Sequence, residues 1–194
     1  MAHALTPTVD PALQRWLLDL ARSTVRAALD GHGSVLPDPA TVPAEAADPG
    51  AAFVTLRRDG QLLGCIGSIE AHRSLADDVA AHAYDAAFRD PRLPPVTDDD
   101  WPHLQVGISV LGPLEPLAVG NRTELAATLR PGVDGVLLTS KEGRETFLPS
   151  VWSELGDTEA FLAALWHKAG LPADRWPSDL VVERYRVTEF GDHP

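Results

Sequence analysis

One order of predicted elements occurs twice along this chain, and it constrains the fold more than any other feature. Residues 53–111 and 135–187 each begin with a β-hairpin and continue with a helix, a proline-rich loop and a further strand. Such elements bury their apolar sides when a helix covers one face of a sheet. The sequence therefore predicts an α+β fold with two subdomains of antiparallel or mixed sheet, at about 51–116 and 133–190. The recurrence fits an internal duplication of a β-β-α-β unit and also a common way of covering a sheet.

Local signals define the first unit. Asp59-Gly60 supplies the tight turn of a hairpin over 53–66, because an Asp-Gly pair favours positive backbone φ angles. Ser74 resembles a helix cap and begins the helix that follows. The alternating apolar residues of 104–111 then predict a strand.

The second unit repeats these signals. Residues 135–148 read as a hairpin, Asp157 caps a helix, and a last strand runs over 180–187. Trp101 and Trp176 each precede proline at matching places in the two units, where an aromatic ring is most simply a loop anchor. Residues 10–31 form an N-terminal helix that we expect to pack on this body.

Composition excludes several classes of protein. The single cysteine cannot form an intramolecular disulfide, which fits a reducing cytoplasm. Lys and Arg number 16 against 28 Asp and Glu, and the formal charge of −12 argues against nucleic acid as a partner. No segment resembles a signal peptide or approaches the about 18 apolar residues of a membrane span. We therefore expect a soluble cytoplasmic protein with no membrane association.

The strand that carries Cys65 is the first candidate site. Gly64 and Gly67 flank the Cys65-Ile66 pair, and glycine lets another backbone or a ligand approach closely. A reactive thiolate also needs a stabilising charge or an adjacent base. His72 and Glu70 follow at short distance in the sequence and are candidate proton acceptors. The alternative is that Cys65 is a small buried residue in a tightly packed strand.

The segment after the first unit's helix is the second candidate. Arg89, Asp90 and Arg92 stand in Phe-Arg-Asp-Pro-Arg, where Pro91 fixes the backbone. These charges can form a structural ion pair, or the planar guanidinium groups can bind an anionic ligand. The sequence therefore leaves two interpretations of this segment.

Other chemistries find little support. Ser150 lacks the glycines of a nucleophile elbow. The seven histidines are scattered and do not pair at metal-binding spacing, and nucleotide-binding glycine motifs are missing. The sequence thus predicts neither a metal nor an organic cofactor.

Several motifs, in order, resemble the AMMECR-type domain, the AmmeMemoRadiSam system protein A family. They are LLGCIGSIEAHRSLADDVAAHAYDAAFRDPRLPP, ISVLGPLEP, LRPGVDGVLL, TFLPSVW and HKAGLP, and the resemblance covers about residues 10–190. It implies one AMMECR-type domain over 1–194, with an α+β fold of two subdomains and an unestablished activity. It also implies a three-part system with a Memo-like protein of the extradiol-dioxygenase type and a radical SAM protein.

The family motif has arginine directly before Gly-Cys-Ile-Gly, where this chain has Leu63. In a regular strand Leu63 and Cys65 would point to the same side, so an anion-binding role of that face is weakened. Cys65, Arg89, Asp90 and Pro91 match the family pattern.

Two functional hypotheses follow. The first is an accessory or enzyme-like component that binds a small molecule or partner around Cys65, Gly64 and Gly67, beside Arg89, Asp90 and Arg92. The second is a non-catalytic adaptor that docks partner proteins. An enzyme would place polar groups around the sulfur, whereas an adaptor would expose a contiguous apolar surface.

Overall fold

The computed structural model describes residues 6–173 and 175–192. It contains two compact units. The first comprises Thr8–Leu111 and the described residues from Thr188 onward, and the second spans Gly112–Val187. No described helix is long and apolar enough to cross a membrane.

The secondary structure follows the predicted order. The first α-helices and strands in the chain are α1 (Pro11–Leu29), α2 (Ala44–Ala47), β1 (Ala52–Arg58), β2 (Gln61–Gly67), α3 (Leu75–Phe88) and β3 (Leu104–Leu111). The remaining elements are β4 (Glu115–Pro116), α4 (Arg122–Thr128), β5 (Gly135–Thr139), β6 (Arg144–Phe147), α5 (Val151–Leu155), α6 (Thr158–Lys168), β7 (Val181–Tyr185) and β8 (Val187–Gly191).

The strands form two four-stranded antiparallel sheets, in the orders β2-β1-β3-β8 and β4-β7-β5-β6. In each unit a hairpin is followed by a strand that pairs with the hairpin's first member, which gives β2-β1-β3 in one sheet and β6-β5-β7 in the other. The α+β prediction is confirmed, and the recurrence in the sequence is a recurrence of topology. An internal duplication and a common way of covering a sheet both predict this shared topology.

The last predicted strand is wrong in one respect. The expected strand over 180–187 is two strands, because β7 ends at Tyr185 and β8 begins at Val187. Between them, the carbonyl of Arg186 accepts a hydrogen bond from the backbone N–H of Gly112 at 2.7 Å. β8 then joins the first sheet. No glycine or proline marks this change, so local sequence could not reveal it.

The first core lies between the first sheet and two helices. Asp10 caps α1 as predicted and accepts hydrogen bonds from the N–H groups of Ala12 and Leu13 at 2.9 and 2.8 Å. The buried face of α1 packs mainly on α3. That face consists of Leu13, Leu17, Ala21, Thr24 and Val25.

The second core is built around α6. Its apolar face is buried as predicted, and the ring of Trp152 stacks on Phe161 at 3.7 Å between centroids. Trp176 packs against this core, and Trp101 packs against the first. The two Trp-Pro pairs are therefore loop anchors, each within its own unit.

Truncation of α1's core face should destabilise the first unit. We expect Leu17→Ala to lower the free energy of unfolding by about 2–5 kcal/mol, because Leu17 is fully buried and the change leaves a cavity. Leu36→Ala is the matched control, since Leu36 is 59% exposed and its loss should cost less than about 0.5 kcal/mol. Denaturant unfolding checks both, and equal midpoints would contradict the described packing.

Candidate functional site

Cys65 lies on the face of the first sheet opposite the helices. Gly64 faces α3, because a Cβ atom built there would meet the carbonyl oxygen of Ala86 at 1.8 Å. Successive residues of a strand alternate between faces. Cys65 therefore points away from α3, and it is half-buried.

On this face Cys65 belongs to a row of paired residues. It pairs with Thr55 of β1, which pairs in turn with Gly107 of β3. The hydroxyl of Thr55 donates a hydrogen bond to Cys65 Sγ at 3.3 Å. Gly107 adds no side chain, and a Cβ atom there would meet only Thr55, at 3.9 Å. The sulfur therefore has one hydroxyl donor, and Thr55 separates it from the space over Gly107.

The backbone of Cys65 is held by the segment that follows α3. β2 is an edge strand, and edge strands carry unpaired N–H and C=O groups. The N–H of Cys65 donates to Asp90 Oδ2 at 3.0 Å, and its carbonyl accepts from Arg92 Nη2 at 3.0 Å. Arg92 also donates to Asp90 through Nε and Nη2 at 2.8 and 2.6 Å. These two side chains occupy the position of a neighbouring strand.

The buried Asp90 carboxylate is ionised. Its side chain is 2% exposed, and hydrogen bonds from Arg92 hold the pKa of Asp90 well below its usual range, with the N–H of Cys65 adding to the effect. The same carboxylate raises the pKa of Arg92. The structure thus supports the ion-pair interpretation of this segment, and both charged groups bind the backbone of Cys65.

The two glycines of the cysteine motif each allow a close packing contact. Gly64 allows the backbone of α3 to approach, and Gly67 makes room for the ring of Phe53, whose Cγ would lie 2.3 Å from an added Cβ atom. A register shift in the hairpin leaves Leu63 between the paired residues Leu62 and Gly64. This irregularity breaks the alternation on which a shared side for Leu63 and Cys65 depends, and Leu63 packs against the first core.

The remaining predicted residues have other contacts. Arg89 pairs with Asp85 at 3.3 Å, and its guanidinium lies 5.0 Å from the centre of the Tyr84 ring. His72 Nε2 lies 3.4 Å from Glu70 Oε2 in the exposed loop after β2. The structure therefore brings together Cys65, Asp90 and Arg92, and the catalytic and ligand-binding roles expected of all the predicted site residues stay predictions.

A buried polar cluster around Asp78 was missed by sequence reasoning. Asp78 is 1% exposed and accepts hydrogen bonds from the N–H of Ala52 at 2.9 Å, from Ser68 Oγ at 3.0 Å and from Arg73 Nε at 2.9 Å. His82 Nδ1 lies 3.2 Å from its Oδ2, although without hydrogen-bond geometry. The spacing of Asp78 and His82 on the apolar side of a helix is the signal that could have revealed the pair.

The cluster fixes the loop that follows β2. Burial acts to raise the pKa of Asp78, but the nearby His82 ring and the hydrogen bonds from Ala52 and Arg73 outweigh it and keep the pKa below its usual value. Arg73 and Ser68 lie at the two ends of this loop, so one carboxylate ties both ends to α3. Among residues 6–173 and 175–192, no group of three His, Cys, Asp or Glu side chains could hold a metal ion.

These features define an α+β protein of two β-β-α-β units whose cysteine-bearing edge strand is closed by an Asp–Arg pair. The chain belongs to the AMMECR1 family, whose model matches residues 18–190. The resemblance found in the sequence is therefore confirmed over nearly the whole chain.

Relatives support this assignment. The chain is 38% identical over 162 residues to a protein of Methanothermobacter thermautotrophicus, covering 82% of this chain and 83% of that one. It is 36% identical over 184 residues to protein TK0174 of Thermococcus kodakarensis, covering 91% and 89%. The crystal structure of the uncharacterised protein PH0010 from Pyrococcus horikoshii matches with a TM-score of 0.87 at 31% identity, covering 95% of this chain and 93% of that one.

Removal of the Asp90 carboxylate should destabilise the first unit. We expect Asp90→Ala to lower the free energy of unfolding by about 1–3 kcal/mol, because the Cys65 N–H loses its acceptor, whereas the Arg92 guanidinium, whose side chain is 62% exposed, becomes hydrated. Asp85→Ala breaks the more exposed pair with Arg89 and should cost less than about 1 kcal/mol. Denaturant unfolding of the two variants makes the comparison.

The pH dependence of the Asp90 effect tests its ionic origin. A carboxyl whose pKa is lowered in the folded state stabilises the fold above its unfolded pKa of about 3.9, and the contribution is lost as the pH falls toward the lower folded value. The difference in the free energy of unfolding between wild type and Asp90→Ala should therefore be constant between about pH 5 and 8. It should become smaller below about pH 4. If this difference in the free energy of unfolding stays the same at low pH, the result would contradict a role for the negative charge of Asp90.

Proposed function

We propose that this chain is the AMMECR1-family component of a three-part cytoplasmic system, in which it acts with a Memo-like protein and a radical SAM protein. We further propose that the Cys65 thiol is its working group and contacts a small molecule or a partner. Family membership supports the first proposal. The second rests on the hydrogen bond that Thr55 donates to Cys65 Sγ.

The chemistry of that hydrogen bond favours a working thiol. The thiolate is the nucleophilic form of cysteine, and a hydroxyl that donates to sulfur stabilises its negative charge. The strand around the sulfur is rigid, because its peptide groups are held by Asp90 and Arg92. A positioned, half-buried sulfur with a hydroxyl donor beside it is suited to form a reversible covalent or hydrogen-bonded contact.

Alkylation of Cys65 tests this proposal. We expect the folded protein to react with iodoacetamide without prior unfolding, since Cys65 is half-buried. Thr55→Val keeps the shape of the side chain and removes the hydroxyl, and it should slow alkylation by about fivefold, the equivalent of one hydrogen bond of about 1 kcal/mol. Thr55→Ser retains the hydroxyl and should react at the wild-type rate.

Two results would contradict the thiol proposal. One is labelling that appears only when denaturant unfolds the chain, which would make Cys65 a packing residue. The other is an equal rate in Thr55→Val and Thr55→Ser, which would show that the hydroxyl does not act on the sulfur. Circular dichroism of each variant distinguishes a change of rate from a change of fold.

The adaptor hypothesis has its own support. Val35 and Leu36 are adjacent and are 44% and 59% exposed. A contiguous exposed apolar patch above a few hundred Å² marks a protein contact, and these two side chains would contribute to such a patch. An adaptor would need this surface and would not need the thiol.

Reconstitution distinguishes the two hypotheses. The purified chain is mixed with the Memo-like and radical SAM proteins encoded in the same genome, and complex formation is followed by analytical ultracentrifugation. We expect a complex with wild type. If Cys65→Ser preserves the complex, docking does not need the thiol, as the adaptor hypothesis requires, and a working thiol would have to contact a small molecule. If the complex is lost while the variant remains folded, the thiol takes part in docking. No complex with wild type would contradict the three-part system.

A further inference from the structure

A groove on the outer side of α1 is separate from the thiol site. Its floor carries Trp16 and Leu20, one helical turn apart, and its wall is the short 3-10 turn at Pro39–Thr41 with the residues before it. The groove has a volume of about 370 Å³. Within the described part of the chain, the groove is lined by Trp16, Asp19, Leu20, Ser23, Pro37, Asp38 and Thr41.

Two exposed apolar residues adjoin the groove in the chain. Val35 and Leu36 directly precede Pro37 in the chain, and both are exposed. A small molecule seated on Trp16 would leave these two side chains in water. A polypeptide segment could cover the groove and the exposed pair together, which favours a protein as the occupant.

Among the described residues, the charged side chains that line the groove are the acidic Asp19 and Asp38. The side chain of Asp19 is 80% exposed, and Arg22 lies 3.8 Å from it. Arg22 is bound more closely by Asp192, so these three carboxylates and one guanidinium leave a net charge of −2 beside the groove. Acidic side chains repel anionic lipid and nucleic acid but attract basic groups. The chain as a whole carries a formal charge of −12, which adds to the same field.

We infer that this groove docks a basic, apolar segment of a partner protein. A bulky apolar side chain of that segment contacts Trp16 and Leu20, and flanking Lys or Arg residues face Asp19 and Asp38. The inference does not depend on Cys65, because α1 packs on the helix side of the first sheet and Cys65 faces the other side. A partner bound here leaves the sulfur accessible.

A pair of synthetic peptides provides the test. One is a 15-residue helix-forming peptide of Leu and Lys, and the other has Glu in place of every Lys. Each is titrated into isotope-labelled full chain, and amide and indole N–H signals are followed by NMR. We expect the Lys peptide to shift the Trp16 indole and residues 35–41, and the Glu peptide to shift neither at the same concentration.

Matched variants separate a specific site from general charge attraction. In the double variant Asp19→Asn/Asp38→Asn, the new amide at position 38 keeps an oxygen that can accept a hydrogen bond from the N–H of Ala40. Each lost carboxylate should weaken binding of the Lys peptide by about twofold to fivefold. Glu142→Gln with Glu154→Gln removes the same charge from the second unit and should change binding less. Val35→Ser should weaken binding, whereas Val133→Ser, at nearly the same exposure of 43% against 44%, should not.

Three results would overturn the inference. Equal binding of both peptides would remove the charge argument, and equal effects of the two neutralised pairs would reduce the binding to general attraction. Concentration-dependent shifts of the groove signals without peptide would show that a second copy of the chain is the occupant. None of these results affects the thiol proposal, which alkylation tests independently.

Discussion

The contact between Asp90 and the peptide group of Cys65 is the constraint around which the first unit is organised. A single buried carboxylate satisfies the N–H of an edge strand and orients Arg92, which satisfies the adjoining carbonyl. The sheet is therefore closed by side chains where another strand would otherwise be needed. The same contact ties the end of α3 to β2, so the position of the thiol and the course of the loop after α3 are set together.

Much of this fold was accessible from sequence because its signals are local. The caps at Asp10, Ser74 and Asp157 each accept the expected backbone N–H, and the two hairpins follow from alternation and turn residues. The division of the expected last strand into β7 and β8 at Arg186 could not be predicted from local sequence, because it depends on which sheet binds β8. The irregularity at Leu63 was missed for a similar reason, since a register shift is a property of two strands.

The site was predicted less completely than the fold. Asp90 and Arg92 were singled out with Cys65, but the sequence could not say that they bind its backbone rather than a ligand. Asp78 and His82 were missed because an acidic residue in the first turn of a helix is ordinarily explained by the helix dipole. Their burial on the face that packs against the first sheet is a tertiary fact, and only the Asp–His spacing hinted at it.

The position of β8 makes the second unit an insertion within the first. β8 pairs into the first sheet, and beyond it Asp192 contacts Arg22 of α1 and accepts from the N–H of Val106 at 2.9 Å. Every strand of the second sheet precedes β8 in the chain. A fragment that ends at Leu111 therefore lacks β8 and leaves the first sheet one strand short. Such a fragment exposes β3 as an open edge, so the first unit can be isolated only by an internal deletion that keeps β8.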